Sequence, residues 1–340
     1  MAKRDIIVIG GSAGALEVLK ALVAKLPQDL PASIFVVVHI SPARESVLPQ
    51  ILTRAGRMPA FQAFDHEQIE YSQIYVAAPD RHLILENRHI SLVHGPKENR
   101  TRPAIDPLFR SAAVNYGARV IGVLLSGSLD DGTAGLRAIK QRGGVTIVQD
   151  PTEAVYSSMP ESAIYNSAID HVVKADAIAP LLRQLIAEEI PEQEESASMS
   201  SDLRKENEVS MQQSEPAEMI ETANELGQLS MFTCPECHGT LWELKDGELL
   251  RYRCHVGHVY SIDSLDAEQG ERLEGALWSA LRTLEERGAL ARRLAQQSRE
   301  RRREGLAERF EARASEADEH AISIRRILLK DPEKALIAER

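Results

Sequence analysis

Short apolar runs and helical periods alternate through the first half of the chain. The runs are "IIVIG", "SIFVVVHI", "IYVAA", "RVIGVLLSG", "GVTIVQD" and "DHVVKA". They are rich in β-branched residues and apolar throughout, as strands covered on both faces must be. Helical patterns at 14–26, 105–117, 132–142 and 175–189 fall between several of them. This alternation predicts an α/β fold with a mostly parallel, doubly wound sheet over residues 1–187. "HLILENRHISLVHG" holds two alternating segments about "EN" and predicts an antiparallel hairpin.

The pattern then changes. Residues 188–228 carry twelve acidic and two basic side chains and no aromatic residue. Little apolar area is available there to offset the entropy of ordering, so a flexible acidic linker is expected. Residues 229–262 form a small cysteine-bearing module. From 263 to 335 the period is helical again. Leu273, Leu277, Ala280, Leu284, Ala291 and Leu294 make one series. Leu306, Phe310, Ala314, Ala317, Ala321, Ile324 and Leu328 make a second, and a helical hairpin turning near Gly305 is predicted. The arginine run before Gly305 reads as a solvated helix end, with contact to an anionic partner as the alternative.

Charge and composition narrow the function classes. The formal net charge is −11, and about −10 of it lies in 188–228, so the globular parts are near neutral and wholesale nucleic-acid binding is not expected. No apolar run reaches the roughly 18–20 residues that span a membrane. Three cysteines make a poor disulfide framework, and "RDIIVIG" leads directly into a strand without a leader pattern. Both features predict a reducing, cytoplasmic setting.

"GGSAG" at 10–14 fits the strand–turn–helix nucleophile elbow around Ser12. A tight bend without chemistry is the plain alternative. A dinucleotide loop would need glycine where Leu16 stands and an acid closing the second strand, where His39 stands instead. Histidine titrates near 6.5 in water and can take a serine proton at neutral pH. "LLSGSLDDGTAGL" offers Asp130 and Asp131 as the group that orients the imidazole, with helix capping as the competing role. The chain order Ser, His, Asp differs from that of the α/β-hydrolases.

"IVIGGSAGALEVL", "VVVHISP", "IYVAAPDRHLIL", "RPAIDPLFRSAA", "LLSGSLDDGTAGL" and "VQDPTEAVYSSMPESAI" follow one another in an order that resembles the catalytic domain of the CheB chemoreceptor-glutamate methylesterases. The resemblance implies a serine hydrolase with Ser12 as nucleophile, His39 as base and Asp131 as the orienting acid, acting without a catalytic cofactor. It implies an oxyanion donor in the backbone at Ser128, and substrate contacts at Ala13 and Met159. Met159 has a core role as its alternative. Its substrates would be methylated glutamates on the cytoplasmic helices of chemoreceptors, with glutamine deamidation as a second activity and recruitment to receptor arrays. A weakly catalytic scaffold on the same fold is the alternative function. Ala13, Ala15, Ser128 and Leu129 depart from the family pattern, and Leu129 replaces a glycine. Many members also carry a receiver domain, which is not expected here. Arg102 and Arg110 are candidates to guide an acidic helix, with a surface role as the alternative for Arg110, and His82 reads as structural.

"CPECHGTLWELKDGELLRYRCHVGH" places Cys234 and Cys237 in C-x-x-C and Cys254 and His258 in C-x-x-x-H. Two such knuckles can close a tetrahedral site, so a structural zinc in a zinc-ribbon-like module is expected. His238 and His255 are alternative ligands. The module and the helices after it resemble C-terminal extensions of some CheB-type proteins, which implies docking to a signalling partner.

Overall fold

The computed structural model describes residues 2–39, 45–191, 200–211, 216–246 and 249–329. Linker residues 192–199 and 212–215, and the predicted hairpin beyond 329, lie outside these. The chain forms two compact units, Met1–Leu265 and Asp266–Arg340.

The first unit begins β1 (Ile6–Gly11), α1 (Ala15–Ala24), β2 (Ser33–Val38), α2 (Leu48–Ala55), β3 (Ala60–Gln62), β4 (Ile74–Val76), β5 (His82–Glu86) and β6 (His89–Val93). It continues with α3 (Ile105–Tyr116), β7 (Val120–Leu124), α4 (Thr133–Gln141), β8 (Val145–Gln149), α5 (Ser158–Asn166), β9 (His171–Val173) and α6 (Ala175–Ala187). Seven strands form one parallel sheet in the order β3-β4-β2-β1-β7-β8-β9. All six predicted apolar runs become strands of it. β5 and β6 pair as the expected antiparallel hairpin.

Period-two alternation divides the core between the faces. Ile7, Ile9, Ile34 and Val36 meet Leu19 and Leu22 of α1 and Leu182 of α6 on one side. Ile6, Val8, Phe35 and Val37 meet Leu108 of α3, Leu136 of α4 and Met159 of α5 on the other. The sheet is doubly wound, and its strand order reverses between β1 and β7. Open α/β sheets place their sites at that reversal, outside the carboxyl ends of the strands.

Two helices lie within the acidic segment expected to be flexible: α7 (Ser201–Ser210) and α8 (Pro216–Leu226). The Ser200 hydroxyl caps α7 by accepting from the Leu203 N–H at 3.2 Å. Apolar area is scarce, as the composition implied, and buried charge pairing compensates. Arg110 Nη2 meets Glu98 Oε1 at 2.6 Å and Ser210 Oγ at 2.6 Å, and Arg251 meets Glu206 at 3.0 Å. Arg110 is thus 2% exposed, and neither the surface reading nor the helix-guiding one holds for it. Burial would raise the Glu98 carboxyl, but Arg110 and Arg253 pull it down to about 2. Removing one partner of such a pair costs about 3–5 kcal/mol because the other charge stays buried.

β10 (Gly227–Thr233), β11 (Thr240–Asp246), β12 (Leu249–Cys254) and β13 (Val259–Ser261) form an antiparallel sheet that completes the first unit. α9 (Ile262–Glu300) leads into the second unit, and α10 (Glu304–Leu328) lies within it. There the helical hairpin is as predicted, but its buried seam is displaced toward alanines. Leu281, Ala291 and Ala295 on α9 and Ala307, Ala314, Ala317 and Ala321 on α10 are buried, while Leu273 is 62% exposed. A Cβ on Gly288 would come within 2.8 Å of Asp318 Oδ1, a sign of close helix approach.

Candidate functional site

Ser12 and His39 each stand one residue beyond a strand. Gly11 and Val38 are in register on β1 and β2, and the His39 N–H donates to Gly11 O at 3.3 Å. The two side chains therefore leave neighbouring strand ends. The Ser12 N–H donates to Ser126 O at 2.9 Å, which ties the turn to the loop after β7. Ser12 does not cap α1. Gly14 takes the N-cap position with φ +81°, a left-handed conformation that excludes most side chains, and a Cβ there would lie 2.6 Å from Ser126 Oγ. Gly10 serves packing, since a Cβ would fall 2.3 Å from Ile105 Cγ2.

His39 Nε2 lies 2.8 Å from Asp131 Oδ2. The imidazole is 15% exposed and the carboxylate 2%. With Nε2–H given to the carboxylate, Nδ1 is the nitrogen left with a free lone pair. Asp131 also accepts from the first N–H groups of α3, Ile105 at 2.7 Å and Asp106 at 3.2 Å, and from Asn99 Nδ2 at 3.0 Å. It thus caps α3 and not the helix that follows it. Burial would raise its carboxyl; the hydrogen bond and charge of His39, the Ile105 N–H and Asn99 outweigh this and hold it below the ordinary range. Asp106 moves the other way: burial and the Asp131 charge raise it well above the usual carboxylate. Asp130 faces elsewhere, accepting from Ser261 Oγ at 2.6 Å, and burial raises it to about 7.

Met159 is fully buried and lies beside Gly127, where a Cβ would meet its Sδ at 2.6 Å and the Ser12 Cβ at 3.0 Å. Its core reading holds, and the side chain also lies near the Ser12 turn. Ala13 and Ser128 are exposed. Leu129, one of the departures from the family pattern, has a left-handed backbone, with φ +63°. His82 is buried, with Nε2 2.9 Å from Pro96 O, a structural role. Arg102 pairs with Asp80 at 2.7 Å. Sequence reasoning missed Asn99 and Thr101, whose Oγ1 lies 3.4 Å from His39 Nε2. "ENRT" carries no periodic or motif signal, and the only hint is an asparagine able to adopt φ +47°.

The second cluster joins Cys234, Cys237, Cys254 and His258, whose donor atoms all lie within 4.8 Å of one another. Two tight turns present them: the His238 N–H donates to Cys234 O at 2.9 Å, and the Gly257 N–H to Cys254 O at 2.9 Å. Cys237 and Cys254 sulfurs are 3.6 Å apart, and His258 Nδ1 is 3.5 Å from Cys254. Tetrahedral bonds of about 2.3 Å would set donors roughly 3.7 Å apart, so the set fits a metal ion. Hydrogen bonding from Cys254 and His258 pulls the Cys234 thiol down, and the resulting charge pushes Cys254 up. A cation would relieve that opposition. His255 packs edge-on against Trp242, apart from the cluster.

Comparison with known proteins covers the same half of the chain. Residues 7–182 match the protein family described as CheB methylesterase. A relative in Leptospira interrogans is 36% identical over 182 residues, which are 53% of this chain and 94% of that one. A protein-glutamate methylesterase/protein-glutamine glutaminase of Anaeromyxobacter dehalogenans is 36% identical over 184 residues, and the match spans only 54% of its length. Among solved structures, the catalytic domain of Thermotoga maritima CheB methylesterase aligns with a TM-score of 0.52 at 32% identity. That alignment covers 55% of this chain and 100% of that one.

Proposed function

Since the chain belongs to the CheB methylesterase family, we propose that it removes methyl esters from glutamate side chains of chemoreceptors with Ser12, His39 and Asp131 as its catalytic triad. The observation that carries this reading is the 2.8 Å contact between His39 and a buried Asp131, at a strand end adjoining that of Ser12.

The chemistry follows from the atoms. His39 Nδ1 takes the Ser12 proton as Oγ attacks the ester carbonyl carbon. Negative charge develops on the carbonyl oxygen. The N–H groups of Ala13 and Ser128, which donate to no group among the described residues, are the donors we assign to it. One such donor is worth roughly 3–4 kcal/mol in the transition state. The imidazolium returns its proton to the methoxy oxygen, the C–O bond breaks and methanol leaves. Water then attacks the acyl-enzyme through the same base, freeing the glutamate carboxylate. Asp131 fixes the Nε2–H tautomer and stabilises the imidazolium. Glutamine deamidation would follow the same path with ammonia as leaving group.

Cys234, Cys237, Cys254 and His258 are assigned a structural zinc, which would supply charge neutralisation and a cross-link. Four protein donors leave no open position for a catalytic role.

The test is methanol release from methylated receptor. Ser12→Ala and His39→Ala should each lower kcat by at least a thousandfold while leaving the circular dichroism of the fold unchanged. Wild-type release by folded Ser12→Ala would refute the hydrolase assignment and leave a binding role for the fold.

A further inference from the structure

Asn99 stands between the candidate triad and the cysteine-bearing sheet. Its side chain is buried, 5% exposed. Nδ2 donates to Asp131 Oδ1 at 3.0 Å and to Asp106 Oδ2 at 2.9 Å. Oδ1 accepts from the Ser261 N–H at 3.2 Å and from Ser264 Oγ at 3.2 Å. Chemistry fixes the orientation of this amide. The ionised Asp131 carboxylate lies on one side of it and the Ser261 N–H on the other, so a flip would oppose like groups in both places.

The backbone around Asn99 is held from the same direction. Its N–H donates to Val259 O at 2.8 Å, and the Val259 N–H donates to Lys97 O at 3.3 Å. Lys97 pairs with Glu236, between the two cysteines of the first knuckle, at 2.7 Å. Ser261 Oγ reaches Asp130, next to Asp131, at 2.6 Å. β13 and the first turn of α9 thus grip both the 97–101 loop and the aspartate loop. Among the described residues, Asp131 Oδ1 has one other donor, the Asp106 N–H at 3.2 Å.

We propose that Asn99 is a positioning residue for Asp131 and that seating of the β10–β13 sheet, through Ser261 and Ser264, sets it. The proposal rests on the Ser12–His39–Asp131 reading above. Loss of the amide donor frees Oδ1 and concentrates negative charge on the carboxylate, which strengthens its hold on a protonated imidazole.

The experiment uses full-length chain and methanol release across pH, with Asn99→Ala and the double variant Ser261→Ala, Ser264→Ala. For Asn99→Ala we expect kcat to fall tenfold or more with KM within twofold, and the acidic limb of kcat/KM to move to higher pH. The serine double variant should shift both in the same direction by less. A residue that served only folding would lower the active fraction without moving the pH profile, so an unmoved profile in both variants overturns the proposal. If Asn99→Ala fails to fold, the serine double variant decides alone. Ser12→Ala runs in parallel: full activity there refutes the triad itself. An inactive Ser12→Ala beside wild-type kcat and pH profile in the other variants refutes only the role of Asn99.

Discussion

Asp130 and Asp131 are adjacent, both buried, and displaced in opposite directions. Asp131 has His39, two backbone N–H groups and Asn99 to favour its charge; Asp130 has the Ser261 hydroxyl and its own backbone N–H. The sign for stability follows. Asp130, raised from 3.8 to about 7, binds its proton more tightly when folded. Its contribution is complete below the unfolded value and is lost as pH rises toward 7, on the order of 4 kcal/mol in total. Asp131 contributes above its unfolded value and loses that as pH falls. Asp130→Asn should therefore abolish a stability decline between pH 4 and 7, read as the difference in urea midpoints between wild type and variant over that range. Leu129 offers a second residue-scale test. A leucine at φ +63° carries about 1–2 kcal/mol of strain, and glycine costs roughly 0.5–1 kcal/mol in unfolded-chain entropy. Leu129→Gly should stabilise the protein by up to about 1 kcal/mol in denaturant unfolding, its side chain being only half-buried.

Elements were legible in proportion to their periodicity. β1, β2 and β7 announce themselves as unbroken apolar runs. Ser12, His39 and Asp131 are legible as candidates because each closes or follows such a run. The cysteine spacing was equally local, and the structure gathers those four residues. α7 was missed because two of its five buried positions are apolar, Leu203 and Val209; the rest are Glu206, Asn207 and Ser210. Its docking is electrostatic, and the pairing arginines lie far away in sequence. β3, with three residues, and α2, with eight, are too short to show a period. At this scale the metal is testable. Elemental analysis should find one zinc per chain, and Cys237→Ala should lose it. Chelation should change the fluorescence of Trp242, buried in β11, and lower the unfolding temperature of the intact chain.

For the whole molecule, what no sequence period could reveal is how distant segments share one buried polar network. Ser261 meets Asn99 across 162 residues and Asp130 across 131. Such contacts fall between unlike polar residues, each ordinary in its own stretch. They also impose an order in time. Chains emerge from the ribosome at roughly 5–20 residues per second, and amino-terminal parts fold first. The parallel sheet, with Ser12 and His39 already on neighbouring strand ends, exists as sequence roughly 4–18 s before Ser261 and Ser264 are made. During that interval nothing yet clamps Asp131 from the carboxyl-terminal side. The polar network around Asp131 is closed by β13, the last strand of its unit, so the candidate site is complete only once that strand is in place.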